Sequence, residues 1–239
     1  MKRKALIIGN SGDSNNPKEY LEGVKKDVKN YKNFLQSNIG GAWYEYEIVQ
    51  SLDETKDEVV AKIRSITSEQ NDFIFILFSG HGSYSSGKEC RKLYIYDDFI
   101  YEEDLLYGAN KQITIMDTCA GIEEDMLHMC MESASMDSIR KSRSDYRKIY
   151  EEEIEKCPDQ QVILYSCSIT ESSEDDSELG GYFAHSLLNV AEYSQNNVLS
   201  SREAYLSAKK NVQDKTNNTQ NPQCKCVKAS NILPFSIKE

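Results

Sequence analysis

The sequence predicts a three-layer α/β/α domain around a central, mostly parallel sheet of about six strands. Short apolar runs alternate along it with segments of helical periodicity, the order that builds parallel sheets with helices on their faces. One run, Asp72-Phe73-Ile74-Phe75-Ile76-Leu77-Phe78, has no polar face and must be covered on both sides. The chain has 239 residues, 39% hydrophobic and 28% charged, which suits one globular domain whose core needs no covalent staples.

Ala5-Leu6-Ile7-Ile8 is the first strand, stopped by Gly9-Asn10-Ser11-Gly12. Over residues 20–37, Val24, Val28, Tyr31 and Leu35 fall at i, i+4, i+7 and i+11, a single helical stripe. Residues 44–49 alternate as a second strand, and Val59, Ile63 and Ile66 mark a second helix. The apolar run ends at Ser79-Gly80-His81-Gly82. Residues 93–96 form a short strand, and Gln112-Ile113-Thr114-Ile115-Met116-Asp117 a further central one, stopping at Thr118-Cys119-Ala120-Gly121. Residues 161–165 are the next strand, helices follow over 181–191 and 201–214, and a last strand falls within 224–232. Between 122 and 158 the periodicity fails. Its first half reads as a mobile insertion, and residues 138–156 as a solvated helix laced with opposite charges.

Thirty-nine acidic residues against 28 basic ones leave a formal charge of -11, a field that repels nucleic acid and anionic membranes and suits a cationic peptide. The 7 cysteines include no C-x-x-C pair and point to a reducing, cytoplasmic setting. The stretch Ala5 to Ile8 is shorter than an export signal needs, and the longest apolar run is far below the ~20 residues that span a bilayer.

Sites in open parallel sheets form at the carboxyl ends of strands, and here two central strands end in a His between glycines and in a Cys before Ala-Gly. A thiolate is the nucleophile of choice for a carbonyl, and a neighbouring imidazolium lowers the thiol pKa and later protonates the leaving amine. A lone Cys at such a position is usually a small core residue. The coincidence of both residues at equivalent strand ends, each flanked by Gly, favours chemistry.

Ser79-Gly80-His81-Gly82 and Asp117-Thr118-Cys119-Ala120-Gly121 resemble the two catalytic motifs of the caspase-like cysteine peptidases, most closely the metacaspases. The resemblance extends to residues 5–10, to Leu21-Glu22-Gly23-Val24-Lys25-Lys26-Asp27 and to Gln220-Asn221-Pro222-Gln223, nearly the whole chain in the family's order. It implies the three-layer caspase-like fold as a single domain over 1–239: a large-subunit-like part (1–121), a linker or insertion (122–158) and a small-subunit-like part (159–239). It also implies an endopeptidase with a Cys-His dyad, His81 as general acid/base and Cys119 as nucleophile, with the amides of Gly82 and Cys119 as oxyanion hole.

In caspases an Arg two positions before the helix-1 Gly helps bind a P1 aspartate; the matching position here is Leu21, which argues against cleavage after Asp. In metacaspases a basic P1 residue is held by an acid on that helix, an acid two before the nucleophile and a Ser two before the His. The matching residues are Asp27, Asp117 and Ser79. Positions i and i+2 of a strand share a side, so Asp117 falls near Cys119 and Ser79 near His81. Two converging carboxylates raise each other's pKa, and a bound guanidinium or ammonium relieves them. The same carboxylate opposes thiolate formation at Cys119.

The expected partner is therefore a polypeptide substrate with Arg or Lys at P1, cut through an acyl-enzyme, and the enzyme is expected to be a monomer rather than a dimer. The alternatives are a catalytically idle caspase-like module that regulates a partner by binding and, less favoured, a relative cutting after Asp or Asn. The acidic run Glu171-Ser172-Ser173-Glu174-Asp175-Asp176-Ser177-Glu178 reads as a solvated loop before it reads as a calcium site. No cofactor is expected. Cys224-x-Cys226 reads as structural, and His128 and His185 as incidental. If basic P1 residues are preferred, Arg140, Lys141, Arg143, Arg147 and Lys148 are points of self-cleavage, with processing expected within 138–148.

Overall fold

A computed structural model describes residues 1–16, 19–120 and 142–238. Strand β1 (Arg3–Asn10) leads to helix α1 (Gly23–Gln36), a 3-10 turn (Glu45–Glu47), β2 (Ile48–Leu52), α2 (Lys56–Ser68) and β3 (Phe73–Gly80). A small antiparallel sheet of β4 (Gly82–Ser85), β5 (Cys90–Tyr94) and β6 (Phe99–Tyr101) precedes β7 (Lys111–Asp117). Then come α3 (Arg143–Glu155), β8 (Gln160–Tyr165), the short hairpin β9 (Asp175–Asp176) and β10 (Gly180–Gly181), and α4 (Tyr182–Tyr193). The chain finishes with β11 (Val198–Ser200), α5 (Ser201–Lys215), β12 (Gln223–Lys225) and β13 (Pro234–Ile237).

The central sheet has six strands in the order β12-β8-β7-β3-β1-β2, all parallel except β12, which runs antiparallel to β8 at the edge. Side chains alternate across its plane and feed two cores. Ala5, Ile7, Phe73, Phe75 and Leu77 pack under α1, α3, α4 and α5, while Leu6, Ile8, Ile74, Ile76 and Phe78 pack under α2 and the small sheet. The three predicted layers are thus present. The N-terminus of α5 is capped reciprocally: Glu203 N–H donates to Ser200 Oγ (3.3 Å) and Ser200 N–H to Glu203 Oε2 (3.0 Å), a capping box.

Three expectations need correction. Residues 44–49 are not one strand: Tyr44 and Glu47 close a 3-10 turn, with the Tyr44 amide on Glu47 Oε2 at 2.7 Å, and the strand starts only at Ile48. The chain's last strand lies beyond 224–232, because β13 pairs with β11 after β12 has closed the edge. The helix expected to be solvated is α3, and Tyr146, Tyr150 and Ile154 on one of its faces are fully buried. The first residues of that expected helix, 138–141, and the insertion over 122–141 lie outside the described residues.

Helix α3 is held by a buried ionic cluster. Arg147 reaches both oxygens of Glu47 (2.8 and 2.6 Å), and Arg143 donates to the Trp43 carbonyl at 2.6 Å. Fully buried Arg3 stacks over the Trp43 ring (4.4 Å) and lies 3.8 Å from Glu47 Oε2; burial lowers its pKa to about 10. Removing one partner of a buried ion cluster strands the rest. Glu47→Gln is expected to cost about 3 kcal/mol, a fall in Tm of about 6 to 12 °C in a domain this size; an unchanged melting curve contradicts it.

Candidate active site

Strands β3 and β7 pair in parallel with Ser79 opposite Asp117. His81 and Cys119 therefore each stand two residues past a paired position, on chains about 4.8 Å apart at the same rim of the sheet. A Cβ on Gly82 would lie 2.1 Å from Thr118 Oγ1 and 3.0 Å from the Cys119 carbonyl oxygen, so the backbone after His81 packs directly on the Cys119 turn. Only glycine permits that approach.

His81 Nε2 is hydrogen-bonded to the Glu19 carbonyl, from the loop ahead of α1. A carbonyl only accepts, so this nitrogen carries a proton and Nδ1 is the ring nitrogen the Glu19 contact leaves open. Cys119 is 7% exposed. Its sulfur sits between the two backbone groups of one residue: Ser173 N–H donates to Sγ at 3.3 Å, and the thiol faces the Ser173 carbonyl at 3.5 Å. Burial pushes the Cys119 thiol up to about 12; the Ser173 amide pulls against this, while Cys167, Asp117 and Asp175 add to it.

Asp27, Ser79 and Asp117 come together beneath this rim. Asp27 is buried on α1; Ser79 Oγ donates to its Oδ2 at 2.6 Å, and the Gly181 amide to Oδ1 and Oδ2 at 3.2 and 3.1 Å. Asp117 accepts from Ser173 Oγ at 2.7 Å on Oδ1 and from the Ala184 amide at 2.7 Å on Oδ2. Burial, joined by the charge of Asp117, raises the Asp27 pKa well above the ordinary carboxylate range, and burial likewise raises Asp117. Both carboxyls are thus biased toward their protonated forms.

The hairpin β9–β10 makes this closeness possible. Gly180 has φ +97, and a Cβ on it would lie 2.0 Å from Asp27 Oδ1; a Cβ on Gly181 would lie 2.3 Å from Asp117 Oδ2. The loop ahead of the hairpin is strapped onto the Cys119 turn by two backbone bonds, Ala120 N–H to Glu171 O and Thr170 N–H to Ala120 O, both 2.9 Å. Arg91, buried on β5, supports it from below by donating to the Cys167 carbonyl at 2.7 Å. The acidic run 171–178 is thus not a solvated loop: Ser173 and Asp176 are buried, and Asp176 Oδ1 caps the amides of Glu178 and Leu179.

The cavity bounded by Leu21, Asp27, Ser79, Asp117, Cys119 and Ser173 has a volume of about 20 Å³, the space of a single water. Among the described residues no group of three His, Cys, Asp or Glu side chains is placed to hold a metal ion. Cys224 and Cys226 are half-buried against the core beside α5, and His185 contacts Asn189 on α4, away from this cleft. His128 lies outside the described residues.

Sequence comparison decides the family, because the profile described as the caspase domain matches residues 2–233. The chain belongs to the caspase-domain family. It is a caspase-like cysteine peptidase by that membership. Comparison with curated proteins found no match. Among solved structures, the caspase-like domain is similar to caspase-1 from Spodoptera frugiperda, with a TM-score of 0.64 and 14% identity over 94% of this chain and 88% of that one. At that identity the likeness is one of fold. Among the described residues, no helix is long and apolar enough to cross a membrane.

The residues that sequence reasoning missed are Ser173, Gly180 and Gly181. The Gly180-Gly181 pair just after the acidic run was the available signal for a close backbone approach; nothing local marks Ser173, whose partners lie far away in the chain.

Proposed function

We propose that the protein is an endopeptidase of the metacaspase kind, cutting polypeptides after Arg or Lys with Cys119 as nucleophile and His81 as acid/base. The observation that carries this reading is the pair of buried carboxyls, Asp27 and Asp117, which line the Cys119 cleft together with Ser79, itself hydrogen-bonded to Asp27. A guanidinium or ammonium there takes the place of the protons that the two groups otherwise hold.

In this mechanism the proton of Cys119 passes to Nδ1 of His81 while the Glu19 carbonyl holds Nε2–H in place. The sulfur attacks the scissile carbonyl, and the amides of Gly82 and Cys119 receive the oxyanion; two such donors are worth a few kcal/mol. The imidazolium gives its proton to the leaving amine, and water, deprotonated by the same ring, releases the acid from the thioester. The high thiol pKa belongs to a covered, resting nucleophile, so the reading includes activation, by self-cleavage in the linker. Of the basic residues there, Arg143, Arg147 and Lys148 are on α3, which would have to unwind to be cut, so processing is assigned to Arg140 or Lys141. A reducing, cytoplasmic setting belongs to the same reading.

A panel of fluorogenic peptides differing only at P1, run with calcium and with a chelator, tests the proposal. Release from Arg and Lys peptides and not from Asp or Asn peptides is expected. Cleavage after Asp overturns the specificity, and no cleavage of any peptide by processed enzyme favours an idle, partner-binding module, for which the covered sulfur also speaks.

A further inference from the structure

Ser173 is engaged by the S1 carboxylate and by the nucleophile at once. Its hydroxyl donates to Asp117 Oδ1 at 2.7 Å, where a basic P1 side chain has to place a donor, while its amide and carbonyl bracket Cys119 Sγ at 3.3 and 3.5 Å. It is held there from the far side. Gln220 donates from Nε2 to Ser173 Oγ (3.1 Å) and to the Ser166 carbonyl (2.9 Å), and accepts the Glu174 amide on Oε1 (3.0 Å). The next residue, Asn221, is clamped to Glu171 by two bonds of 2.7 and 2.8 Å. Gln220 and Asn221 belong to the Gln-Asn-Pro-Gln motif that the dyad and the S1 acids leave without a role.

We propose that Ser173 is a placeholder for the P1 cation, latched by Gln220, so that a guanidinium taking Asp117 from the Ser173 hydroxyl also uncovers the Cys119 sulfur. The coupling is mechanical: all three contacts belong to one residue, and the cleft has no space for a guanidinium until that residue moves. An apolar or acidic P1 side chain offers Asp117 no donor in exchange, and a buried carboxyl left without its partner is costly. Selection for Arg or Lys thus acts on exposure of the nucleophile as well as on binding. The inference rests on the basic-P1 reading.

The test uses agmatine, an arginine-like guanidinium without a scissile bond, and follows carbamidomethylation of Cys119 by iodoacetamide with peptide mapping, beside calorimetric titration of agmatine. In the wild type, agmatine is expected to speed labelling about tenfold, the upper end of what one hydrogen bond between neutral groups amounts to. Ser173→Ala is expected to label about tenfold faster without agmatine and to gain little from it. Gln220→Ala, which frees the strap without touching the cleft, should do the same if Ser173→Ala fails to fold. Agmatine that binds without speeding labelling, or that slows it, overturns the placeholder, as does a Ser173 variant that labels like the wild type. No agmatine binding at all overturns the basic-P1 reading instead.

Discussion

Replacing Cys119 with alanine is expected to lower kcat/KM for an Arg peptide by at least about 10⁴-fold, and the chain should persist as one species of unchanged mass. The wild type, by contrast, is expected to accumulate fragments ending at Arg140 or Lys141. His81→Ala should cost a similar factor, and the double variant little more than either single one, because the two groups act in one proton-coupled step. Peptide hydrolysis and intact mass measure both effects. A Cys119→Ala chain that is cut as fast as the wild type removes self-processing, and one that still hydrolyses peptides removes the nucleophile.

Asp27→Asn should lower kcat/KM for Arg and Lys peptides by at least about 100-fold, the scale of losing one charge of a buried, hydrogen-bonded pair. The same substitution is expected to stabilise the substrate-free protein at neutral pH. The folded-state pKa of Asp27 is raised by burial and by Asp117, with Asp175 adding to it. A carboxyl raised above its unfolded value of about 3.9 binds more protons in the native state, so its contribution to stability is present at low pH and is lost as pH rises from about 4 through the folded value. Asparagine lacks that loss. The gap between variant and wild-type urea midpoints should therefore be small at pH 4 and widen toward pH 7; a gap that narrows with pH contradicts the buried-carboxyl description. An enzyme that gains stability by losing its S1 charge is trading one for the other, as destabilised binding sites do.

Much of the fold was legible because it rests on local rules. The alternation that splits β1 and β3 between two cores is written in their residues, and so are the stripe of α1 and the breaks that end β3 and β7 at His81 and Cys119. Residues 44–49 misled because alternation is shared by strands and by a 3-10 turn capped through Tyr44 and Glu47. Helix α3 looked solvated because the charges around its buried tyrosines are those of an exposed helix; Arg147 is instead spent on Glu47, a hundred residues earlier.

The sequence by itself determined the strands of the sheet and the two chemical strand ends, since each depends on spacing within one strand, whereas Asp27, Ser79 and Asp117 were legible as a set only through the resemblance of their motifs. Only the tertiary structure decided that Ser173 closes over Cys119 and Asp117, that Gln220 holds it there, and that Gly180 and Gly181 press their backbone onto the two acids. Those contacts join segments some 50 to 150 residues apart in the chain, where no periodicity reaches and burial alone sets the partners.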